Sequence, residues 1–295
     1  MSSPPSSDSR SRSSSGPTSS GPVAAVERLV QNHGGSLARL AMVAVFAFLW
    51  VPIAVLVFMS FAAGGVLSFP PQELTLRWYG EFLGNDTAID AIVTTLQVSV
   101  PATAITVVLA TLIAYAVDRY VFPGRDVLQL LATLPIVVPL VVTGIALVLF
   151  YGLVRPVVAL TGYPGVVIAH VIRTIPFATL VIIPTFLTFD RQLEEASKDL
   201  GADELQTFRQ VTLPNVFPGI VAGGLLAFTL SFNEFVFTYF VKDSATTTLP
   251  VYIWNQIRYN VTPEVNVISV VFLFVAVTLV LVAVSLTRVD LLARE

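Results

Sequence analysis

The residue types that usually perform chemistry are scarce in this chain and lie far apart. It has no cysteine, so neither a disulfide nor a thiolate metal site is available. The two histidines, His33 and His170, stand alone, without the neighbouring ligands that a metal site requires. Neither lysine, Lys198 or Lys242, lies in the Gly-x-x-x-x-Gly-Lys-Ser/Thr pattern of a phosphate-binding loop. The sequence therefore predicts no catalytic residue, no bound metal and no cofactor.

One acidic side chain inside an apolar segment is the best candidate for a binding role. Glu234, preceded by Asn233, falls within the apolar run over residues 216–241. An ionisable group within a membrane costs roughly 2.5–3.5 kcal/mol on insertion scales, so it usually serves a function. Two interpretations stay open. The carboxylate meets a cationic ligand, or it pairs with Arg173, predicted at similar depth in the preceding apolar run, and is structural.

A polar stretch over residues 190–214 carries a helical pattern. Leu193, Ala196 and Leu200 recur at helical spacing, which predicts a short amphipathic helix. Gly201 follows the last of these residues, where a left-handed C-terminal cap favours glycine. The pattern therefore predicts that the first helix of the stretch ends at this glycine.

A second helix is predicted directly after Gly201. Asp203, with Gln206 three residues later, resembles a capping box, which starts a helix. Pro214 is expected to end that helix, because the residue before a proline disfavours the helical conformation. The whole stretch is thus predicted to be two short helices hinged at a glycine.

Composition predicts that membrane-spanning helices hold the candidate residues in place. Of all residues 55% are apolar and only 12% are charged, with a mean hydropathy of +0.81, whereas soluble domains carry roughly 25% charged residues. A helical span needs about 20 apolar residues, so the fold class is predicted to be an all-α, polytopic membrane protein. Prolines inside the spans are compatible with this, because bundle neighbours can satisfy the freed carbonyls. The six predicted spans lie near residues 41–63, 91–117, 127–152, 164–189, 216–241 and 265–287.

The distribution of arginine and lysine predicts the orientation of the chain. Placing the N-terminus inside puts more basic residues in the inner segments than in the outer ones, so both termini and residues 190–214 are expected in the cytoplasm. Residues 1–36, rich in Ser, Pro and Gly, are predicted to be a disordered cytoplasmic tail before a membrane domain over 37–295. Membrane lipid is the expected surrounding, and a formal charge of -3 gives no reason to expect a nucleic-acid partner.

Residues 190–214 carry a spaced motif made of Glu195-Ala196-Ser197, Gly201, Val211 and Leu213-Pro214. This spacing resembles the EAA loop of ABC importer permeases. Two positions depart mildly from that pattern, with Ser197 in place of an alanine and Val211 in place of an isoleucine. The resemblance implies a type I ABC importer permease of six transmembrane helices. It also implies that a separate subunit hydrolyses ATP, so that this chain is not itself an enzyme.

In that family the loop seats its short helix in a groove of the ATP-binding subunit and passes on the ATP-driven closure. Small residues there permit close approach, apolar ones can fill the groove, and the two charged ones can pair across or within the interface. Glu195, Ala196 and Gly201 are expected to be the most sensitive to substitution. The implied ATPase-coupling residues are Glu195, Ala196, Gly201, Leu205, Phe208 and Arg209.

A wider resemblance covers roughly residues 74–286. LTLRWY at 74–79, LLAFTLSF at 225–232 and TTLPVYI at 247–253 look like the C-type permease of spermidine/putrescine importers. This implies a polyamine importer of the prokaryotic plasma membrane, with a second permease subunit, two copies of the ATP-binding subunit and an extracytoplasmic substrate-binding protein. Related permeases for thiamine, ferric iron and phosphonate share much of the pattern, and a secondary transporter is a further alternative. Polyamine relatives usually carry two acids where this chain has the tentative pathway residues Asn233 and Glu234.

Overall fold

The computed structural model describes residues 22–64, 69–158, 160–259 and 263–292, with side chains at 36, 38–64, 69–158, 160–259 and 263–281. Within these ranges the chain is helical and forms no strand, and one isolated β-bridge joins Ala62 to Leu74. The predicted all-α class is confirmed. The chain divides into two compact units, Met1–Val55 and Leu56–Glu295, of which the second holds every candidate residue.

Twelve helices follow one another along the described residues. A 3₁₀ turn, Leu134–Ile136, continues the fourth helix, and a π-helical turn, Phe208–Thr212, joins the eighth to the ninth. The helices are α1 (Pro22–Met59), α2 (Arg77–Leu83), α3 (Asp86–Arg119), α4 (Arg125–Thr133), α5 (Leu140–Val154), α6 (Tyr163–Leu187), α7 (Gln192–Asp199), α8 (Glu204–Thr207), α9 (Leu213–Phe232), α10 (Val236–Val241), α11 (Leu249–Tyr259) and α12 (Pro263–Leu292).

Five helical segments of the described chain are long and apolar enough to cross a membrane, and a bent pair brings the number to six if it is one span. That pair, Arg125–Ile136 and Leu140–Val154, is bent by 108°. The predicted third span is therefore not one straight helix, because Pro139 has an extended backbone and no N–H to continue the ladder. The five segments are Ala38–Met59, Asp86–Arg119, Tyr163–Leu187, Glu204–Phe232 and Pro263–Leu281.

The N-terminal helix begins earlier than the sequence prediction placed it. α1 starts at Pro22, so the backbone of residues 22–36 is helical, whereas the rest of the predicted disordered tail, residues 1–21, lies outside the described residues. Proline suits the first position of a helix, because its φ is already fixed and its missing N–H has no partner there. The alanine and leucine residues that follow favour helices as well.

α3, α6 and α9 form the packed centre of the second unit. Buried alanines line their contact, among them Ala110 and Ala178. A Cβ added to Gly223 of α9 would lie 2.7 Å from Cγ1 of Ile182, so glycine is required there by the close approach of α6. Small residues allow such contacts between membrane helices. α9 rises about 30 Å along its axis, with the predicted coupling loop before it and the Asn233–Glu234 pair directly after it.

Candidate functional site

The predicted coupling loop, residues 190–214, contains a helix that ends at a glycine. Gly201 follows α7 with a φ of +90°, a left-handed conformation that other residues rarely adopt. Its N–H donates to the carbonyl of Lys198 at 2.9 Å, and the N–H of Ala202 donates to the carbonyl of Ser197 at 3.1 Å. A Cβ at Gly201 would meet nothing within 4 Å. The backbone conformation, and not a lack of space, therefore requires glycine here, as the sequence predicts.

The second segment of the coupling loop starts as predicted but continues further. Asp203 Oδ1 accepts the N–H of Gln206 at 2.8 Å, and Gln206 Oε1 accepts the N–H of Asp203 at 3.2 Å, which confirms the capping box. The prediction that Pro214 ends this helix is wrong. The π-helical turn Phe208–Thr212 leads into α9, and Pro214 lies in the first turn of α9, where a missing N–H is tolerated.

Charged side chains fasten the coupling loop to the end of α3. Arg191 Nη2 donates to Oδ1 of the buried Asp118 at 2.9 Å, and Asp118 Oδ2 lies 3.4 Å from Arg119 Nε. Arg119 and Thr212 both donate to Oε1 of Glu194. This carboxylate therefore joins α3, α7 and the π-helical turn. Sequence reasoning missed Glu194, whose partners lie 18 and 75 residues away along the chain.

Most of the predicted coupling residues lie on the outer surface of the loop. Leu205 is 61% exposed, and Leu200, beside Gly201, is 90% exposed. Glu195 and Arg209 make no salt bridge with each other or with any other described residue. This surface therefore combines apolar side chains with unpaired charges. Its exposed members are Glu195, Ala196, Leu200, Gly201, Leu205 and Arg209.

Phe208 is the predicted coupling residue that packs inside the chain. It is half-buried, and its ring centroid lies 5.3 Å from that of Tyr115 on α3 in an edge-to-face arrangement. A second internal contact involves Ser197, which departs from the family pattern. Its Oγ lies 3.2 Å from Oγ1 of Thr207 and links α7 to α8. Both side chains hold the shape of the coupling loop.

The second candidate site is a break in the predicted fifth span, which is not one helix over 216–241. α9 and α10 are separated at residues 233–235. Glu234 Oε1 accepts the N–H of Phe237 at 2.8 Å, which satisfies a donor that a helix start leaves free. Its Oε2 lies 3.5 Å from Nε of Arg173 on α6, and Glu234 is only 6% exposed. The geometry agrees with the interpretation that Glu234 is neutralised by Arg173.

Asn233 differs from its neighbour because its side chain is exposed. Its Nδ2 donates to the carbonyl of Thr229 at 2.9 Å, which leaves the amide oxygen accessible. Two residues further, the ring of Phe235 lies 5.4 Å from the rings of both Tyr239 and Trp254. Of the two predicted pathway residues, only Asn233 is therefore presented at the surface of this chain, next to aromatic side chains.

His170, buried in α6, connects both sides of the helix break. Its Nδ1 lies 2.8 Å from Oγ of Ser231 on α9, and its Nε2 lies 2.7 Å from Oγ1 of Thr238 on α10. One turn later, Thr174 lies 2.7 Å from Oγ1 of Thr106 on α3. Sequence reasoning gave His170 no role, because its partners are 61 and 68 residues away and a lone histidine carries no local pattern.

The family of the chain follows from its match to known proteins. A family model described as "Binding-protein-dependent transport system inner membrane component" matches residues 107–294, which is more than half of the chain. The chain belongs to this family. It is therefore a multi-pass membrane permease, a transport component, and the predicted resemblance to ABC importer permeases is confirmed.

Individual relatives agree with this family. The chain is 33% identical over 232 residues to the putrescine transport system permease protein PotI of Escherichia coli strain K12, covering 77% of this chain and 82% of that protein. It is 31% identical over 248 residues to the spermidine/putrescine transport system permease protein PotC of Haemophilus influenzae, covering 84% and 95%. A bacterial ABC transporter involved in alginate import has a similar fold, with a TM-score of 0.71 at 16% identity over 90% of this chain and 98% of that one.

Proposed function

We propose that this permease forms half of the translocation pathway of an ATP-driven importer of the polyamines putrescine and spermidine. Relatives named for these solutes match most of the chain. The chain has no phosphate-binding loop, so ATP hydrolysis is assigned to a separate ATP-binding subunit, in the two copies that the resemblance to ABC importers implies. A second permease completes the pathway, and an extracytoplasmic binding protein delivers the solute.

The observation that carries the proposal is the exposed surface of the coupling loop around Gly201. Leu200 and Leu205 expose apolar side chains there, beside the unpaired charges of Glu195 and Arg209. A mixture of apolar and charged groups of this kind suits a protein partner. The ATP-binding subunit docks on this surface. Because Glu194 ties the loop to α3 and to the π-helical turn before α9, movement of the loop is passed to the membrane helices.

The coupling loop lies on the cytoplasmic side in this proposal. Basic side chains collect at the same end of the second unit as the loop, and Arg125 donates there to the carbonyl of Val117 at 2.7 Å. Basic residues concentrate on the cytoplasmic side of membrane proteins. Both termini are then cytoplasmic, as the sequence predicts. The basic residues at this end are Arg119, Arg125, Arg191, Lys198 and Arg209.

At the helix break we assign the contact with the solute to Asn233, whose amide is exposed. Glu234 has a structural role and does not contact the solute in this proposal. Paired with Arg173 and bonded to the N–H of Phe237, it holds the break that presents its neighbour. An amide oxygen can accept a hydrogen bond from an ammonium group without adding a charge to the membrane.

The test is uptake of putrescine and spermidine into vesicles that hold this chain with the subunits encoded beside it, with and without ATP. We expect uptake only with ATP inside the vesicle and the binding protein outside. ATP hydrolysis without polyamine uptake would overturn the choice of solute and keep the importer. Uptake that is independent of ATP would overturn the whole proposal.

A further inference from the structure

A polar cavity lies at the end of the second unit opposite the coupling loop. It is a half-open cleft between the start of α3, the segment 242–248 and α11, and its volume is about 380 Å³. Small-molecule sites usually measure about 300–1,000 Å³. In the orientation proposed above, this cavity opens at the extracytoplasmic end, where a binding protein releases its solute. None of the predicted site residues lines it.

The cavity is lined by polar side chains whose bonding capacity is unused within the described chain. Asp90 of α3 makes no salt bridge and its carboxylate accepts no hydrogen bond there. Thr87, Thr94, Ser244 and Asn255 also line the cavity, and their side chains have no hydrogen-bond partner among the described residues. One carboxylate, three hydroxyls and one amide therefore converge on the same space without partners in the protein.

The walls of the cavity are, in contrast, held by bonds of their own. Tyr252 Oη accepts from Asn85 Nδ2 at 3.1 Å and from Gln256 Nε2 at 2.8 Å. Asn85 Nδ2 also donates to Glu264 Oε1 at 2.7 Å, which ties the start of α3 to α12. The N–H of Leu249 donates to Thr95 Oγ1 at 2.8 Å. The free groups thus project from a preformed frame that joins α3, α11 and α12.

A comparison of two carboxylates shows what is special about Asp90. Asp243, in the neighbouring segment, accepts the N–H groups of Ala245 and Thr246 at 3.1 and 2.8 Å. Hydrogen bonds from Thr246 hold the pKa of Asp243 below its usual value. The carboxylate of Asp243 therefore stabilises the segment 242–248. The carboxylate of Asp90 accepts no hydrogen bond in the described structure. It is the one acidic side chain that lines the cavity.

No lysine or arginine side chain lines the cavity, so Asp90 sets its charge. The basic residue of the wall segment 242–248 is Lys242, which contacts the cavity-lining Thr247. Its Nζ donates to the carbonyl of Asp243 at 3.1 Å and to Oγ1 of Thr247 at 3.2 Å. A carboxylate surrounded by hydroxyl and amide oxygens matches the three donors of a primary ammonium group.

We propose that this cavity binds one primary ammonium group of an entering diamine or polyamine, with Asp90 as its counter-ion. The inference rests on the proposed function for the identity of the solute, because the geometry itself defines only an ammonium site. The cavity receives the solute before it reaches the helix break, where Asn233 offers an amide and no free charge.

The first test compares Asp90→Asn with Asp86→Asn in the assembled transporter. Asp86 lies one turn earlier on α3 and is exposed, as Asp90 is, but it does not line the cavity. Loss of a charge-assisted hydrogen bond should raise the KM for putrescine about tenfold in Asp90→Asn, with no change in Asp86→Asn or in ATP hydrolysis without solute. An unchanged KM in Asp90→Asn would overturn the proposal. If the unsubstituted transporter takes up no putrescine, the proposed solute is wrong, and the second test decides on the cavity.

The second test measures binding without transport. The chain has no cysteine, so a single introduced thiol can be labelled specifically. Ser244→Cys places one thiol in the cavity wall, and Tyr259→Cys, exposed at the end of α11, is the matched control. In lipid nanodiscs, putrescine or methylammonium should slow maleimide labelling of Ser244→Cys and leave Tyr259→Cys unaffected. Adding Asp90→Asn should remove this protection. Labelling of Ser244→Cys that neither amine slows, or protection that survives Asp90→Asn, would overturn the ammonium site.

Discussion

The coupling loop and the helix break hold their polar residues in opposite ways. In the loop, Glu195, Leu200 and Arg209 are exposed, and none has a charged partner in the described chain. At the break, Glu234 is buried and paired with Arg173, and His170 has a partner at each ring nitrogen. The loop therefore has groups available for another protein. The break uses its polar groups to stabilise an interrupted helix inside the membrane.

Because of this difference, mutations in the coupling loop should impair transport, whereas mutations at the helix break should impair stability. Substitutions on the exposed surface of the loop should affect transport and leave stability nearly unchanged, because few internal contacts are lost. Substitutions at the break should lower stability first, because a buried polar group without a partner is costly. Stability and transport measured on the same variants therefore show whether the two regions differ as the structure indicates.

The largest effect on transport is expected for Gly201→Val. A β-branched residue at a φ of +90° is strained, so the turn between α7 and α8 must change shape. ATP-driven uptake should be lost while the protein still inserts and assembles. Gly124→Val is the control, because Gly124 also has a positive φ, +95°, and open space but lies outside the coupling loop. Equal losses of uptake in both variants would show that backbone strain alone causes the effect, and that the position in the coupling loop does not matter.

The largest effect on stability is expected for Arg173→Met. It leaves the carboxylate of Glu234 buried without its counter-ion, which costs about 3–5 kcal/mol for a buried pair. The Tm of the purified complex should fall for Arg173→Met, and less for Glu234→Gln. The double variant should regain much of the loss, because it removes both charges. If Glu234→Gln instead keeps the Tm and raises only the KM for cations, Glu234 faces the pathway and the pairing interpretation is wrong.

A smaller loss of stability is expected for His170→Leu. Ser231 and Thr238 would each lose the hydrogen bond that ties α9 and α10 to α6. Hydrogen bonds between membrane helices contribute about 0.6–1.7 kcal/mol each. Thermal unfolding should show a lower Tm for His170→Leu, and a loss of about half that size for Thr238→Val. A Tm unchanged in both variants would show that the histidine does not stabilise the break.

The smallest effect is expected for Leu200→Ser. This side chain is 90% exposed, so its loss should leave the Tm unchanged and lower the ATP-driven uptake rate several-fold through weaker docking. Val121→Ser is the matched control, because Val121 is 98% exposed in the segment between α3 and α4, outside the coupling loop. Equal uptake in Leu200→Ser and the unsubstituted transporter would remove Leu200 from the docking surface.

The features that the sequence predicts correctly depend on neighbours along the chain. The left-handed Gly201 and the capping box of Asp203 and Gln206 involve residues only a few positions apart, so their patterns are visible directly. The sequence also predicts the helical class and the apolar spans, because lipid requires long apolar segments.

The features that sequence reasoning misses depend on tertiary contacts. Pro214 has a sequence pattern that predicts a helix end, but the π-helical turn before it changes the local geometry and lets α9 follow without a break. The interruption after Phe232 depends on two contacts with α6, in which Arg173 pairs with Glu234 and His170 contacts both α9 and α10. A single sequence does not indicate which distant residues face one another. The 108° bend between the fourth and fifth helices lies at Pro139, whereas Pro101 leaves α3 continuous, so a proline in an apolar run does not by itself predict a break.

The most direct test of the coupling-loop assignment is short-range chemical cross-linking from this loop to the ATP-binding subunit. Because the chain has no cysteine, Leu200→Cys provides a single thiol on the loop, and Val121→Cys provides the exposed control. With a bifunctional thiol–amine reagent, Leu200→Cys should join the ATP-binding subunit in the assembled transporter, with a yield that changes when ATP is added, and Val121→Cys should join it weakly. Strong cross-linking from Val121→Cys and none from Leu200→Cys would contradict the docking surface proposed for this loop.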